Sequence, residues 1–438
     1  MTRTAALSAI AVAGAASLAS PALAAAPALL AHQAPLVIDN AATAWILTST
    51  ALVLLMTLPG LALFYGGMVR KKNIISVIAQ SAAAFAIVSV LWFLVGYSLS
   101  FGKGPDAVNG LVGGVQAAFL NGVTMETAHS LLPGLPELLF VSFQMTFAII
   151  TPALIAGAFA ERMKFSASLL FFALWHLIVY APICHQVWGG GYLGSLGVLD
   201  FAGGAVVHVN AGVAGLVCAL VLGPRHGFGR DNMAPANLVY SAIGTGLLLV
   251  GWIGFNAGSA GAADALAATA AFNTILAAGA AALGWMTVEW FDRKRPTLLG
   301  LLSGVVGGLV AITPAAGFVD PKGAFFIGLI AGPACYAGAV WLKHALKYDD
   351  SLDAFGVHGI GGIVGALLTG VFATTSINAL SEGATVWKQA LGLGGAIVWS
   401  AVGTFVVLMI CKFTTGLRVT RDEEVEGLDY TQHGEAIH

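Results

Sequence analysis

Long apolar stretches separated by short polar connections make up most of this chain. Charged residues, Pro or Gly mark the breaks between the stretches. The eleven stretches lie at about 44–67, 73–99, 137–160, 165–188, 202–222, 237–259, 267–290, 298–314, 323–342, 355–375 and 391–413. A helix needs about 20 apolar residues to span a bilayer, and only helices and closed barrels satisfy their backbone there. The stretches do not alternate as barrel strands do. The pattern therefore predicts an all-α integral membrane protein with eleven transmembrane helices.

Composition supports a bilayer as the surrounding solvent. Of the 438 residues, 58% are hydrophobic and only 9% are charged, whereas a soluble domain carries about 25% charged residues. The net charge of −2 gives no basis for a nucleic-acid partner. The four cysteines form no CxxC or His/Cys cluster, so neither a disulfide framework nor a zinc site is indicated.

The N-terminus has the pattern of a cleavable signal peptide. Arg3 precedes an apolar stretch that runs to about Leu18, and Ala22-Leu-Ala24 forms a small-residue cleavage site. The alternative, a first spanning helix, is less favoured because the apolar stretch is short. The sequence thus predicts a signal peptide at 1–24, a membrane domain at 25–413 and a tail at 414–438.

Lys and Arg are distributed unevenly over the connections. Every second connection, together with the tail, is basic and carries fifteen of them, whereas the alternating connections carry only Lys103, Lys322 and Lys388. Cytoplasmic loops are enriched in Lys and Arg. The mature N-terminus is therefore predicted outside and the tail in the cytoplasm. The fifteen are Arg70, Lys71, Lys72, Arg162, Lys164, Arg225, Arg230, Arg293, Lys294, Arg295, Lys343, Lys347, Lys412, Arg418 and Arg421.

One outside connection, 100–136, is long and rich in Gly. Its composition fits either an ordered cap over a mouth or a flexible insert, and both alternatives stay open.

Two segments repeat one spacing. Asp200 precedes His208 by eight residues, and Asp350 precedes His358 by eight; Gly follows each His at four and seven residues. The two His fall in the fifth and tenth predicted helices, so the copies run in opposite directions. This pattern predicts an inverted repeat of helices 1–5 and 6–10 with an added helix 11, and such repeats place substrate sites where the halves meet. The alternative is coincidence in a Gly-rich chain.

Ionisable groups inside spans are costly and are functional candidates. Because the repeat relates His208 to His358, the two are predicted to face each other across a pore. The competing interpretation is two buried His bonded to backbone or Ser/Thr groups. A metal site is not predicted, since two His without a third ligand rarely hold a metal. The candidates are His176, His185, His208, His358 and Glu289.

Aromatic and polar residues gather where an outer mouth is expected. Trp188 precedes three Gly, Phe143 and Phe147 are one turn apart, and so are Phe255 and Ser259. Aromatic faces bind cations, and a Ser oxygen accepts from N–H. Asp200 is expected to cap a helix N-terminus. These residues indicate a channel or transporter for a small cation or a small neutral molecule.

At these residues the chain resembles the ammonium transporter (Amt/Mep/Rh) family, in its bacterial Amt branch. The resemblance covers about residues 40–438. The motifs that carry it are Phe143-Gln-Met-Thr-Phe147, Gly157-Ala-Phe-Ala-Glu161-Arg162, Val187-Trp188-Gly-Gly-Gly191, Asp200-Phe-Ala-Gly-Gly through Leu222-Gly-Pro-Arg225, Gly251-Trp-Ile-Gly-Phe255-Asn-Ala-Gly-Ser259, Phe355-Gly-Val-His358-Gly and the tail from Gly416.

The resemblance implies a homotrimer in the bacterial inner membrane, with one pore per subunit. It implies an outer ammonium site at Trp188, Phe147 and Ser259, with Asp200 behind it. It further implies a gate of Phe147 and Phe255, and twin pore histidines, His208 and His358. No catalytic residue and no cofactor are implied. Ammonium would lose a proton at the mouth and cross as ammonia, with separate proton transfer; methylammonium would serve as an analogue.

The tail at 414–438 is implied to dock a cytoplasmic PII signalling protein. Six acidic residues and almost no apolar run make it poorly ordered on its own. Its acids are expected to pair with the basic loops at 70–72 and 293–295. An ammonium sensor remains the alternative function, although the tail is too short for an appended signalling domain. An intramembrane enzyme is disfavoured because no nucleophile accompanies the histidines.

Overall fold

A computed structural model describes residues 37–437, and within that range the regular structure is helical, with two isolated β-bridges. Several of the long helices contain a π-helical turn. The helices are α1 (Asn40–Met68), α2 (Lys71–Phe101), α3 (Glu137–Phe159), α4 (Phe165–Ser195), α5 (Gly204–Leu222), α6 (Leu238–Gly258), α7 (Ala265–Arg293), α8 (Leu298–Ile312), α9 (Pro321–Leu346), α10 (Phe355–Phe372), α11 (Val386–Thr414), α12 (Arg421–Glu426) and α13 (Leu428–His433).

Helices occur at all eleven predicted apolar stretches, with ends that differ by a few residues. Within residues 37–437, ten of them are long and apolar enough to cross a membrane. The exception is α8, which has 15 residues, short of the roughly 20 that a full crossing requires. The predicted signal peptide at 1–24 lies outside the described residues.

Side-chain caps fix where many helices begin. The first backbone N–H groups of a helix have no partner within it, and a polar side chain just before the helix can accept from them. Such caps are provided by Asp39, Asn237, Asp264, Thr297, Asp320 and Thr385.

Glycines bring α5 and α10 into close contact. A Cβ on Gly212 would lie 2.2 Å from the backbone nitrogen of Gly359, and one on Gly362 would lie 2.8 Å from the Val209 side chain. Small residues let helices approach in this way within membranes. The close crossing sets the spacing of the two histidines that these helices carry.

The connection at 100–136 is an ordered cap, tied by hydrogen bonds to the neighbouring helices. The Ser98 hydroxyl donates to the Gly114 carbonyl at 2.8 Å. The two ring nitrogens of His185 lie 3.0 Å from the Ser100 carbonyl oxygen and 2.7 Å from that of Asn109. Of the two alternatives left open by the sequence, the structure therefore favours the cap.

The tail is folded against the ends of the spans. Leu417 and Leu428 are buried, and the Asp429 carboxylate accepts from the Ser76 backbone N–H at 2.8 Å, at the start of α2. A carboxylate at this position accepts from backbone N–H groups that have no partner within the helix. Its negative charge is also favourable at the positive end of the helix dipole. The few apolar residues of the tail, spaced rather than consecutive, anchor it.

Among residues 37–437 the predicted ion pairs between the tail's acids and the basic loops do not form, although Lys72 of the 70–72 loop donates to the Val425 carbonyl of the tail. Glu424 pairs with Arg418 of the tail itself, at 2.7 Å. In the basic loops, Arg70 pairs with Glu161 at 2.9 Å, and Arg293 lies 4.0 Å from Glu289. These loop arginines already have carboxylates close by in the sequence or fold, so the tail's acids bind nearer donors.

Candidate functional site

The two repeated histidines are buried and meet inside the described structure. His208 and His358 stack with ring centroids 5.4 Å apart and an interplanar angle of 17°. Each lies on a π-helical turn that opens its helix, Gly204–Val209 in α5 and Phe355–Gly359 in α10. Such turns often occur at functional sites because they re-aim side chains.

The imidazoles face a narrow cavity with otherwise apolar walls. Neither nitrogen of His208, nor Nδ1 of His358, has a hydrogen-bond partner among residues 37–437. Histidines bonded to backbone or hydroxyl groups would have shown partners for these atoms. The rings are therefore available to a small molecule in the cavity. Its other lining residues are Leu61, Phe64, Ile150, Leu154, Leu248, Trp252 and Val306.

Aromatic rings continue the line beyond His208. Phe255 lies 5.9 Å from His208 and stacks on Phe147, with centroids 4.1 Å apart at 29°. Phe147 in turn meets Trp188 edge-on at 6.0 Å. Phe147 and Phe255 are fully buried, whereas Trp188 is partly exposed. The stacked pair thus separates a partly exposed Trp from the histidine cavity.

Asp200 organises the backbone next to Trp188. Its carboxylate accepts from the N–H groups of Gly203, Gly204, Ala205 and Val206, at 2.9, 2.5, 2.8 and 3.0 Å. Four donors leave little of the carboxylate for another ligand, so this geometry is a cap at the start of α5. The Asp200 carbonyl accepts from the Trp188 indole at 2.8 Å, which fixes the indole's orientation.

The Ser259 hydroxyl lies one turn beyond Phe255 and donates to the Phe255 carbonyl at 2.8 Å. Its lone pairs stay available to an N–H donor. The contact that the structure shows for this hydroxyl is therefore with the Phe255 backbone, and its place beside Phe147 and Trp188 stays a prediction.

The remaining ionisable candidates lie outside the row of rings that runs from Trp188 through Phe147 and Phe255 to His208. His176 stacks on Tyr180 at 5.7 Å, and His185 holds the outer cap as described. Glu289 accepts from the Thr297 hydroxyl at 2.9 Å, at the start of α8. None of these three lines the histidine cavity.

Trp252 is a site residue that the sequence reasoning missed. Its ring stacks on His208 at 5.2 Å and 21°, and its indole donates to the Thr313 hydroxyl at 2.8 Å. The signal was present: Trp252 precedes Phe255 by three residues, so both lie on one helix face.

A buried ion-pair network beside the tail was also missed. Arg225 donates to Glu161 at 3.0 Å and to Asp349 at 2.8 Å. Arg70 forms a second ion pair with Glu161, at 2.9 Å. Burial opposes ionisation of Glu161 and Asp349, but the guanidinium groups outweigh it and lower the pKa of both carboxyls. The network joins the connections that follow α1, α3, α5 and α9.

Ten candidate spans around an aromatic and imidazole-lined apolar cavity define a membrane channel or transporter for a small solute. The chain belongs to the ammonium transporter family: the family model described as Ammonium Transporter Family matches residues 44–437. This confirms the resemblance noted in the sequence, and it makes the chain a member of a transporter family rather than an enzyme.

Individual relatives agree over most of the chain. It is 49% identical to an ammonium transporter of Bacillus subtilis, over 90% of this chain and 97% of that protein. It is 48% identical to an ammonium transporter of Aquifex aeolicus, over 91% and 93%. Among solved structures, Saccharomyces cerevisiae Mep2 matches with a TM-score of 0.81 and 37% identity, over 88% of each chain. A sensor Amt protein matches with a TM-score of 0.82 and 32% identity, over 90% of this chain and 98% of that one.

Proposed function

We propose that this protein carries ammonium across the membrane by releasing a proton at an outer aromatic site and conducting ammonia past His208 and His358. The observation that carries this proposal is the stacked imidazole pair in an otherwise apolar cavity. Moving a full charge through such a cavity costs many kcal/mol. A neutral ammonia molecule avoids most of that cost.

Capture takes place at Trp188, Phe147 and Ser259. The two aromatic faces attract the cation, and the Ser259 oxygen accepts one of its N–H groups. Potassium is similar in size but donates no hydrogen bond and cannot lose a proton, so the site discriminates by chemistry. Asp200 supports the site by orienting the Trp188 indole and the start of α5.

Passage inward requires the gate formed by Phe147 and Phe255 to open. Their stacking at 4.1 Å leaves no room for a solute between the rings, so a ring must rotate for each passage. Beyond the gate, ammonia exchanges hydrogen bonds with His208 and His358, donating to a bare ring nitrogen and accepting from a ring N–H. The neighbouring imidazoles also offer a path for the released proton.

The proposed architecture is eleven spans, in which the 15-residue α8 counts as a short span, with helices 1–5 and 6–10 as inverted repeats and helix 11 added. The matched caps support the repeat: Asp350 accepts from the Ala354 and Phe355 N–H groups at 3.1 and 2.7 Å, as Asp200 does at the start of α5. We further propose a cleaved signal at 1–24, an outer N-terminus and a cytoplasmic tail. The assembly is a homotrimer in a bacterial inner membrane.

A PII signalling protein is the proposed cytoplasmic partner. The folded tail and the loops it contacts form a defined surface at the inner ends of the spans, which supports docking of a trimeric partner onto three pores. The alternative function is an ammonium sensor acting through the same surface. The likeness to a sensor Amt protein favours keeping this second candidate.

Uptake of labelled methylammonium into vesicles containing the purified protein tests transport. Concentration-dependent uptake that competes with ammonium supports the proposal, and binding without uptake supports the sensor.

A chain truncated after Arg418 tests the partner. Loss of both PII pull-down and PII-dependent inhibition is expected; if the truncated chain still binds PII and is still shut off by it, the tail has no such role.

A further inference from the structure

A basic pocket lies between the connection that follows α5 and the tail. It has a volume of about 470 Å³, within the range of roughly 300–1,000 Å³ that small-molecule sites occupy. Its charged lining residues are Arg225, Arg230, Arg418, Arg421 and Glu424, and Phe228 contributes an aromatic ring.

The positive charge of this pocket is only partly balanced. Arg225 is bound to Glu161 and Asp349, and Arg418 to Glu424. Arg230 and Arg421 have no ion pair among residues 37–437, and both are exposed. Two unpaired guanidinium groups therefore line one cavity from opposite chain segments.

The connection makes a tight turn beside the pocket. Gly227 and Gly229 have φ of 80° and 74°, a region that favours glycine. Gly227 lines the pocket, and a Cβ on it would lie 1.9 Å from the Asp231 carboxylate, so one acid stands beside this turn. Arg230 of this connection and Arg421 of the tail both line the pocket.

We propose that this pocket binds a phosphate-class anion, with Arg230 and Arg421 as its principal ligands. The planar guanidinium fork matches phosphate oxygens in a bidentate manner. The pocket is larger than a single phosphate requires, so a ligand with two phosphoryl groups, or one phosphoryl group on a larger body beside Phe228, fits better. The phosphate can come from a soluble phosphorylated molecule or from an anionic lipid headgroup.

A bound anion would hold the tail against the α5 connection. It would bridge Arg421 to Arg230, in addition to the existing contact in which the Glu424 carboxylate accepts from the His226 N–H at 2.6 Å. The site thus makes tail docking responsive to a phosphorylated ligand. This inference does not depend on the proposed transport mechanism, because its tests measure binding and tail protection.

The test is calorimetric titration of the purified full-length protein with inorganic pyrophosphate in neutral detergent at physiological ionic strength. Saturable binding at one site per chain is expected. R230A/R421A should weaken it by at least about tenfold, because charge-assisted bidentate contacts are lost. The matched control is R293A/R295A, which removes the same charge outside the pocket and should change binding by less than about twofold.

A second arm distinguishes the two sources of phosphate. Native mass spectrometry counts phosphatidylglycerol retained from mixed-lipid nanodiscs by the wild type and by R230A/R421A. Arginine-dependent retention without pyrophosphate binding identifies a headgroup, whereas pyrophosphate binding in detergent identifies a soluble ligand. If R230A/R421A is not monodisperse, R230Q/R421Q replaces it.

Hydrogen exchange of residues 416–437 should slow when pyrophosphate, or the lipid where that is the ligand, is added to the wild type but not to R230A/R421A. The proposal is overturned if neither ligand binds saturably, if both double variants lose binding equally, or if the ligand leaves tail exchange unchanged.

Discussion

The ring of His208 lies nearly parallel to the ring of His358, with centroids 5.4 Å apart. The two come from opposite halves of the chain and meet because α5 and α10 cross at Gly212 and Gly359. Among residues 37–437, both nitrogens of His208 and Nδ1 of His358 have no hydrogen-bond partner. A pair so placed can exchange hydrogen bonds with a molecule moving through the cavity.

Replacing either histidine with Ala should lower ammonium uptake into vesicles by at least about tenfold, or abolish selectivity over potassium, because an apolar methyl group then replaces one of the two imidazoles that line the cavity. The measurement is uptake with potassium in competition. His176→Ala is the matched control, since it removes a fully buried imidazole outside the cavity. Unchanged flux and selectivity in both His208→Ala and His358→Ala would contradict the role.

Trp188→Leu should weaken the apparent affinity for ammonium. A partly desolvated cation–π contact contributes about 1–2 kcal/mol, so half-saturation should rise roughly five- to thirtyfold. The measurement is the concentration dependence of the transport current. Trp387→Leu, at a ring that is 69% exposed in α11, is the control and should leave half-saturation in place. If the half-saturating concentration is unchanged in Trp188→Leu as well, the indole serves only as an anchor at the membrane interface.

Glu161→Gln should destabilise the buried network and change its pH dependence. Burial alone would raise the pKa of Glu161, but Arg225 and Arg70 outweigh it and hold the pKa below its ordinary 4.5. The pairing therefore stabilises the fold fully above pH 4.5 and is lost as pH falls through the lower folded-state pKa. Removing one partner of a buried pair costs about 3–5 kcal/mol.

The check is the thermal melting temperature in detergent as a function of pH. Glu161→Gln should melt lower than the wild type at pH 7 and show a shallower decline below pH 4.5. Glu382→Gln, at an exposed carboxylate, should follow the wild type. Parallel wild-type and Glu161→Gln curves would show that this carboxylate is not coupled to the fold.

Glu424→Ala should loosen the tail. The variant removes the acceptor for the Arg418 guanidinium and for the His226 N–H. Charge-assisted hydrogen bonds of this kind contribute about 1.5–3 kcal/mol each, so exchange of residues 416–437 should accelerate by at least about tenfold. Glu426→Ala, at an exposed position on the same short helix, is the control. Equal protection in both variants would assign tail docking to the apolar contacts alone.

The apolar pattern by itself determined where the helices lie, because each span must bury about 20 consecutive apolar residues and satisfy its own backbone. The Asp-to-His spacing likewise singled out His208 and His358, since ionisable groups within spans are costly and few. The charge-poor composition made these residues conspicuous.

Tertiary structure alone decided how those residues meet. The stacking of Trp252 on His208 joins two side chains from α6 and α5, helices distant in sequence, and no local pattern encodes that contact. The same holds for the tail: its composition predicts poor order in isolation, yet Leu428 and Asp429 find an apolar surface and unpaired N–H groups at the start of α2. Contacts between residues distant in sequence depend on the final packing of the helices. The hydropathy pattern along the chain does not specify that packing.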